Sequence, residues 1–281
     1  MLARDVDTAK AFATSWNNLP GGSVYTHDQF SEWMKPLQKK DFEGKEVLEL
    51  GCGNASLLVH SSRWGAKRVV GVDLGDSVLS ARQNMDEGAG CDWVVEQADL
   101  VKFDSAGFDV VYCIGVLHHL KSPRAGFDAV LRNVRHGGAF HCWVYGWEGN
   151  AVIRFVVEPI RRLACRLPWW VTKYLLAAPL VAPYYIYAKL IKLLAGQVDG
   201  AAPWFAKWLP LYEYSLWISK REFAFFHHVA FDQLVTPQTC YLRKSELELW
   251  LREHPEVDPG STYLIFRNGN SWKFGGRRKQ A

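Results

Sequence analysis

Between positions 45 and 145 the apolar residues gather in five short runs, at 47–50, 69–72, 93–96, 108–114 and 140–145. Each has the length of a buried strand. Helical spacing fills the stretches between them. Phe127, Val130, Leu131 and Val134 recur at i, i+3, i+4 and i+7, after Ser122 as N-cap and Pro123 at the first helical position, with a stop expected at Gly137-Gly138. Strand–helix alternation of this kind predicts an α/β fold: a mostly parallel sheet with helices on both faces, binding ligands at the carboxyl ends of its strands. Gly51, Asp73, Asp99 and Gly115 all fall at such ends.

The first of these ends carries the sharpest chemical signal. Val47-Leu48-Glu49-Leu50 breaks at Gly51-Cys52-Gly53, and the next strand closes at Asp73. A glycine turn followed at that distance by an acid suits a nucleoside-containing ligand. The turn is not a dinucleotide fingerprint, since Ser56 stands where a third glycine would, and it lacks the Gly-Lys-Ser/Thr of a phosphate-binding loop. Glycines here also fit a second reading, in which they serve only positive φ or close packing.

The ordered set of motifs resembles class I S-adenosylmethionine-dependent methyltransferases. Val47 to Gly53 is similar to their first motif, Val70-Gly71-Val72-Asp73 to the second, and Ala98-Asp99-Leu100 with Phe108-Asp109-Val110-Val111 to the third and the start of the fourth strand. Gly115-Val116-Leu117-His118-His119-Leu120 and Leu131 to Gly138 resemble the later motifs. The resemblance implies a Rossmann-like, mostly parallel seven-stranded sheet with a helical cap inserted after the fifth strand. It implies S-adenosylmethionine as cofactor and S-adenosylhomocysteine as product. Gly51, Cys52 and Gly53 would approach the methionine part, Glu49 would order the turn or meet the amino group, and Asp73 would accept from the ribose hydroxyls beside Leu74. Asp99 would accept from the adenine amine with Leu100 packed on the ring, and Ile114 and Gly115 would line the sulfonium. Helix capping is the competing role for both aspartates. Ala55 departs from the glycine of close relatives and adds only a methyl. His118 and His119 are candidates for a general base, with a structural role equally open.

Residues 151–230 hold sixteen aromatics and ten Lys and Arg against four acids, a local charge of +6 where the whole chain carries +4. Six prolines (159, 168, 179, 183, 203 and 210) are expected to cut this segment into short helices. Its longest uncharged run, 174–188, is shorter than the roughly twenty residues needed to cross a bilayer. The segment reads as a helical cap for an acceptor with an apolar body and an anionic group, and as a candidate for peripheral membrane contact. Beyond it, Ser245-Glu246-Leu247-Glu248 is a capping-box pattern, and 263–266 with 272–274 read as a closing antiparallel pair.

The resulting division is an N-terminal helical lid at 1–40, a cofactor-binding domain at 41–148 and 237–281, and the cap at 149–236. Acceptor contacts are expected from Trp16, Tyr25, Tyr145, His227, His228 and Tyr241. His227-His228 with Asp232 lacks a third strong metal ligand, so no metal is expected. Six cysteines without a C-x-x-C pair read as reduced thiols, and residues 1–10 do not read as a signal peptide, so a cytoplasmic setting, with membrane-surface association through the cap, is expected. No motif for a flipped base and no basic stripe points to nucleic acid. Three functions stay open: methylation of a small or lipid-like molecule, methylation of a macromolecule (a protein side chain or a glycan), and cofactor binding without catalysis.

Overall fold

The computed structural model describes residues 3–17, 25–105, 107–195, 204–205 and 208–281, without the side chains of 3–5 and 15–17. These divide into two compact units. The first holds residues 1–145, 238–265 and 272–281; the second holds 146–237 and 266–271. The expected lid at 1–40 groups with the sheet in the first unit, although 18–24 lie outside the described residues.

The sheet has seven strands: β1 (Glu46–Leu50), β2 (Arg68–Asp73), β3 (Asp92–Gln97), β4 (Phe108–Ile114), β5 (Val134–Tyr145), β6 (Tyr263–Arg267) and β7 (Ser271–Arg277). Their order is β3-β2-β1-β4-β5-β7-β6, with β1 to β5 parallel. The chain winds outward from β1 through β2 to β3, then returns to place β4 on the other side of β1. The carboxyl ends of β1 and β4 therefore flank the point where winding reverses, which is where open α/β sheets bind ligands.

The central strands β1, β2 and β4 are buried on both faces because helices cover both. Leu48, Leu50, Val111 and Cys113 point into one core with Phe127, Val130 and Leu131 of α5 (Pro123–Asn133) and Trp250 of α10 (Lys244–Glu253). Val47, Val110, Tyr112 and Ile114, the alternate residues, point into the other. There they meet Phe30, Trp33 and Met34 of α2 (His27–Met34), Leu58 of α3 (Leu58–Arg63), and Val78 and Met85 of α4 (Ser77–Gly88). An N-terminal helix, α1 (Ala3–Asn17), precedes α2. Thr26 and Gln29 cap α2 reciprocally.

Several local expectations shift. Ser122 caps α5 through the Ala125 amide with Pro123 following, as expected. The helix stops at Asn133 rather than Gly137, because Val134 already pairs with Phe108 and an irregularity in that pairing carries β5 onward. At α10 the carboxylate of Glu246 accepts from the Arg243 amide, so the helix starts at Lys244 and Ser245 is not its cap.

The second unit is helical, with α6 (Glu158–Ala164), α7 (Ala178–Ala195), α8 (Tyr212–Ile218) and α9 (Phe223–Val235). Its prolines divide it only in part: Pro168 lies in the break after α6 and Pro210 just ahead of α8, whereas Pro159, Pro179 and Pro183 lie within continuous helix. π-helical turns at Ile153–Val157 and Val171–Ala177 run straight into α6 and α7, and each is followed two residues later by a proline, Pro159 or Pro179. Proline lacks an N–H and its ring collides with the carbonyl four residues back. A wider turn there moves that carbonyl aside, so the helix continues. Pro183 then sits inside α7, and Val171–Ala195 is one run of 25 residues.

Gly71 of β2 gives the turn after β1 its room. A Cβ on Gly71 would lie 2.8 Å from Leu58 Cδ2 and 2.9 Å from Cys52 Sγ. Gly71→Ala is expected to lower the unfolding free energy by about 1–3 kcal/mol in urea titration, as overpacked cores do, and adding Cys52→Ala should recover part of that loss.

Candidate cofactor and acceptor site

The turn after β1 is built from left-handed backbone. Gly51 has φ +81° and Gly53 φ +53°, and a Cβ at Gly51 would collide with Val116. Ala55 is also left-handed, at φ +62°, and fully buried. The expectation that its departure from glycine adds only a methyl is thus incomplete. An L-residue in this conformation costs roughly 1–2 kcal/mol, which packing must offset. Sequence spacing carries no signal for φ, so the strain was not legible.

Asp73 holds the turn in place. Its Oδ2 accepts from the Gly53 amide at 2.9 Å, and its Oδ1 accepts from the Gly75 amide at 2.8 Å and the Ser77 hydroxyl at 3.1 Å. The Leu74 amide also bonds the carboxylate. Burial raises the Asp73 pKa against the pull of these donors. A carboxylate has about four acceptor positions, so a ribose diol must displace or share a donor. Ser77 supplies the one side-chain donor and can rotate away.

Glu49 lies behind the turn, almost fully buried, on the same face of the sheet as Tyr112. The Tyr112 hydroxyl donates to Glu49 Oε2 at 3.0 Å and lies 2.8 Å from Ser61 Oγ of α3. The Leu58 backbone also bonds Glu49, tying it to the start of α3. Burial holds the Glu49 carboxyl well above the usual range, with the Tyr112 bond pulling the other way. Cys52 is buried and its thiol is pushed up for the same reason. Sequence reasoning missed Tyr112, Ser61 and Ser77. Only the inward side of Tyr112 on β4, predictable from strand alternation, pointed to the first.

At the end of β3, Asp99 Oδ1 accepts from the Val101 amide at 3.0 Å, a local capping role for one oxygen. Leu100 is buried in the core with Phe127. Leu74 is half-buried beside Asp73. Ile114 is buried, and Gly115 follows at φ +79°, where a Cβ would meet the Trp143 ring at 3.6 Å.

Past β4, His118 and His119 occupy a 3₁₀ turn and both are buried. The Tyr145 amide donates to His118 Nδ1 at 3.4 Å, and the Cys240 amide to the His118 carbonyl at 2.7 Å. His119 Nδ1 lies 2.9 Å from the Gln238 carbonyl and 3.1 Å from Thr239 Oγ1. These bonds stitch 238–240 to the turn after β4. A ring cluster results: His118 sits 4.3 Å from Tyr145 and 5.8 Å from Trp143, Tyr145 stacks on Tyr241, and Phe12 of α1 meets His119 edge-on at 4.8 Å.

Other expected contacts fall elsewhere. Tyr25 packs edge-on against Trp33, and its carbonyl bonds His60, so it belongs to the core around α2. Trp16 lies in α1, but its side chain is outside the described residues. His227 and His228 lie on α9 in the second unit, where His227 Nε2 meets the Lys173 carbonyl and His228 Nε2 meets Asp232 at 3.2 Å. Among the described residues no three His, Cys, Asp or Glu side chains gather as a metal site.

Comparison with known proteins agrees with this geometry. Residues 48–142 match the model of a methyltransferase domain. A ubiquinone biosynthesis O-methyltransferase from Maricaulis maris is 31% identical over 43% of this chain and 56% of its own length. A tRNA U34 carboxymethyltransferase from Campylobacter hominis is 27% identical over 38% of this chain and 41% of its own. The chain thus spans about half the length of the curated relatives it matches. The solved magnesium protoporphyrin IX methyltransferase from Synechocystis, with SAH bound, covers 98% of this chain and 97% of its own at TM-score 0.50 and 14% identity, a likeness of fold.

Removing the Tyr112 hydroxyl tests the support under the turn. Tyr112→Phe should cost about 1–3 kcal/mol by leaving Glu49 short of a donor. It should also raise the Glu49 pKa further. A carboxyl raised on folding contributes stability in acid that is lost as pH rises through its folded pKa. The deficit of Tyr112→Phe measured by urea titration should therefore grow as pH rises above the ordinary carboxylate range; a deficit independent of pH would contradict the coupling.

Proposed function

We propose, from the premise that residues 48–142 form a class I S-adenosylmethionine-dependent methyltransferase domain, that the chain transfers a methyl group to a small or lipid-like acceptor with an apolar body and an anionic group. The observation that carries the cofactor half is the turn at the switch point of the sheet, held by the Gly53-to-Asp73 bond. The residues present fit S-adenosylmethionine: an open left-handed backbone at Gly51 and Gly53, a carboxylate at the end of β2, and a second at Asp99 with one oxygen beyond its capping bond. When bound, the cofactor supplies a methyl group activated by a positively charged sulfur.

The residues then have positional work. Asp73 orients the ribose, Asp99 the adenine amine, and Glu49 keeps the turn rigid through Tyr112 and α3. Gly115, with no side chain, and Ile114 leave space at the end of β4 for an acceptor to approach in line. Orientation supplies most of the acceleration in such a displacement. The cluster of His118, His119, Trp143, Tyr145 and Tyr241 offers flat faces for the acceptor, and its two imidazoles are the candidates for a general base. The relative named for ubiquinone biosynthesis O-methylation supports this reading. A macromolecular acceptor is the second reading, supported by the relative named for tRNA U34.

Titration calorimetry with S-adenosylhomocysteine tests the cofactor half. Asp73→Ala should weaken binding by about a hundredfold or more, since it removes charge-assisted hydrogen bonds and the anchor of the turn. Because burial raises the Asp73 pKa, the parent should bind steadily near neutral pH and weaken as pH falls toward that value, where the carboxylate takes up a proton. Asp73→Asn should remove that dependence. Undiminished binding by Asp73→Ala would end the proposal.

The histidines are tested separately. His118→Ala or His119→Ala should lower methyl transfer to the acceptor while S-adenosylhomocysteine affinity stays within a few-fold of the parent. Normal turnover in both variants would leave them a purely structural role.

A further inference from the structure

The helical run Val171–Ala195 is apolar on two opposite faces. Its inner face, with Ala177, Val181, Ala188 and Ile191, is buried within the second unit. On its outer side Leu175, Leu180, Ile186, Leu190, Leu193 and Leu194 are each 45% exposed or more. Pro179 and Pro183 fill the intervening outer positions, and no charged residue lies between 174 and 188. A helix on the surface of a water-soluble domain puts polar residues there. A second helical stretch of the same unit repeats the pattern, with Val152, Phe155, Val156 and Leu163 all exposed at i, i+3, i+4 and i+11. Apolar exposure on this scale marks an interaction surface.

Charge and aromatics identify what covers it. The segment 151–230 carries +6, so the remainder of the chain sums to −2 and the whole excess of positive charge lies here. Arg162, Arg166 and Lys192 are exposed beside the apolar positions. Trp169 and Trp170, both exposed, directly precede the long helix. Apolar helical faces edged by Trp, Arg and Lys suit the boundary between headgroups and acyl chains of an anionic membrane. A second copy would bring the same positive charge against itself.

The inner-face contacts decide between lying on and crossing a bilayer. Val171–Ala195 is long and apolar enough to cross by length and composition. However, Lys189 Nζ donates to the carbonyls of Ser219 and Arg221 at 2.9 and 3.0 Å, and the Tyr184 hydroxyl lies 2.9 Å from Ser215 Oγ. These bonds hold α7 to α8 and the chain that follows it, and a crossing would break them or draw polar backbone into hydrocarbon. We infer that the second unit docks on the surface of an anionic lipid bilayer, seating the outer face of Val171–Ala195 and the 152–163 stripe in the interface. The inference stands apart from methyl transfer and needs no acceptor.

Co-sedimentation of the full chain with vesicles tests it. The parent should partition onto equimolar phosphatidylglycerol and phosphatidylcholine vesicles at least tenfold more strongly than onto pure phosphatidylcholine, and less strongly in high salt. The double variant Ile186→Glu with Leu190→Glu should lose about tenfold or more of that partition, keeping its melting temperature and S-adenosylhomocysteine affinity because both side chains are exposed. Leu79→Glu, at an exposed leucine of α4 in the first unit, should bind vesicles like the parent. An alkaline carbonate wash should release the parent. The inference is overturned by failure of the parent to bind anionic vesicles, by equal binding to neutral ones or by the double variant, or by retention after the wash, which would mark a crossing helix. It is also overturned by a dimer in vesicle-free buffer that the double variant converts to monomer.

Discussion

The Gly53 amide bonded to the Asp73 carboxylate joins the ends of β1 and β2, next to the point where the sheet reverses its winding. The rest of the first unit is arranged so that this bond can form. Gly71 leaves room for Cys52 and Leu58 to fold over β2. Glu49, Tyr112 and Ser61 fasten the underside of the turn to α3. Left-handed backbone at 51, 53 and 55 bends the chain tightly enough for the amide to face the acid. Two carboxyls, Glu49 buried and Asp73 half-buried, are thereby withdrawn from water, which raises both pKa values. Each is retained because donors from the turn and the adjacent helix surround it, which is how buried polar groups are tolerated.

Sequence pattern located the strands and their ends, because apolar runs at the right spacing have few other uses. It placed Asp73, Asp99 and Gly115 at strand ends and read Ser122-Pro123 as the opening of α5, a signal that depends on local chemistry alone. What it could not carry was conformation or partnership over distance. Ala55 reads as a conservative change until its φ is known. Tyr112 reads as one apolar residue of β4 until Glu49 is found on the same face 63 positions earlier. Pro159 and Pro179 misled for a physical reason: the rule that proline breaks a helix assumes α-helical hydrogen bonding, and a π turn placed just ahead removes the collision on which the rule rests.

The two units bury their apolar surface by different means. The first alternates it through a sheet covered on both faces, and its large exposed apolar side chains are few. The second has small cores, one of them built on Val181, Ala188, Ile218 and Phe226, and leaves many of its leucines and tryptophans in contact with solvent. Such surface raises the free energy of a helical domain in water unless something covers it. The positive charge of the chain is concentrated in the same segment, so composition and exposure favour one kind of environment.

The six cysteines are distributed unevenly between these settings. Cys52, Cys113 and Cys142 are shut inside the first unit, with burial pushing each thiol up and so suppressing its reactive thiolate. Cys91 and Cys240 are partly open in that unit, and Cys165 is the single cysteine of the second. The chain therefore carries its own chemical clock. Alkylation counted by mass would register Cys165 for the helical part, while capture of the three hidden thiols would time the opening of the sheet, without any label being engineered in.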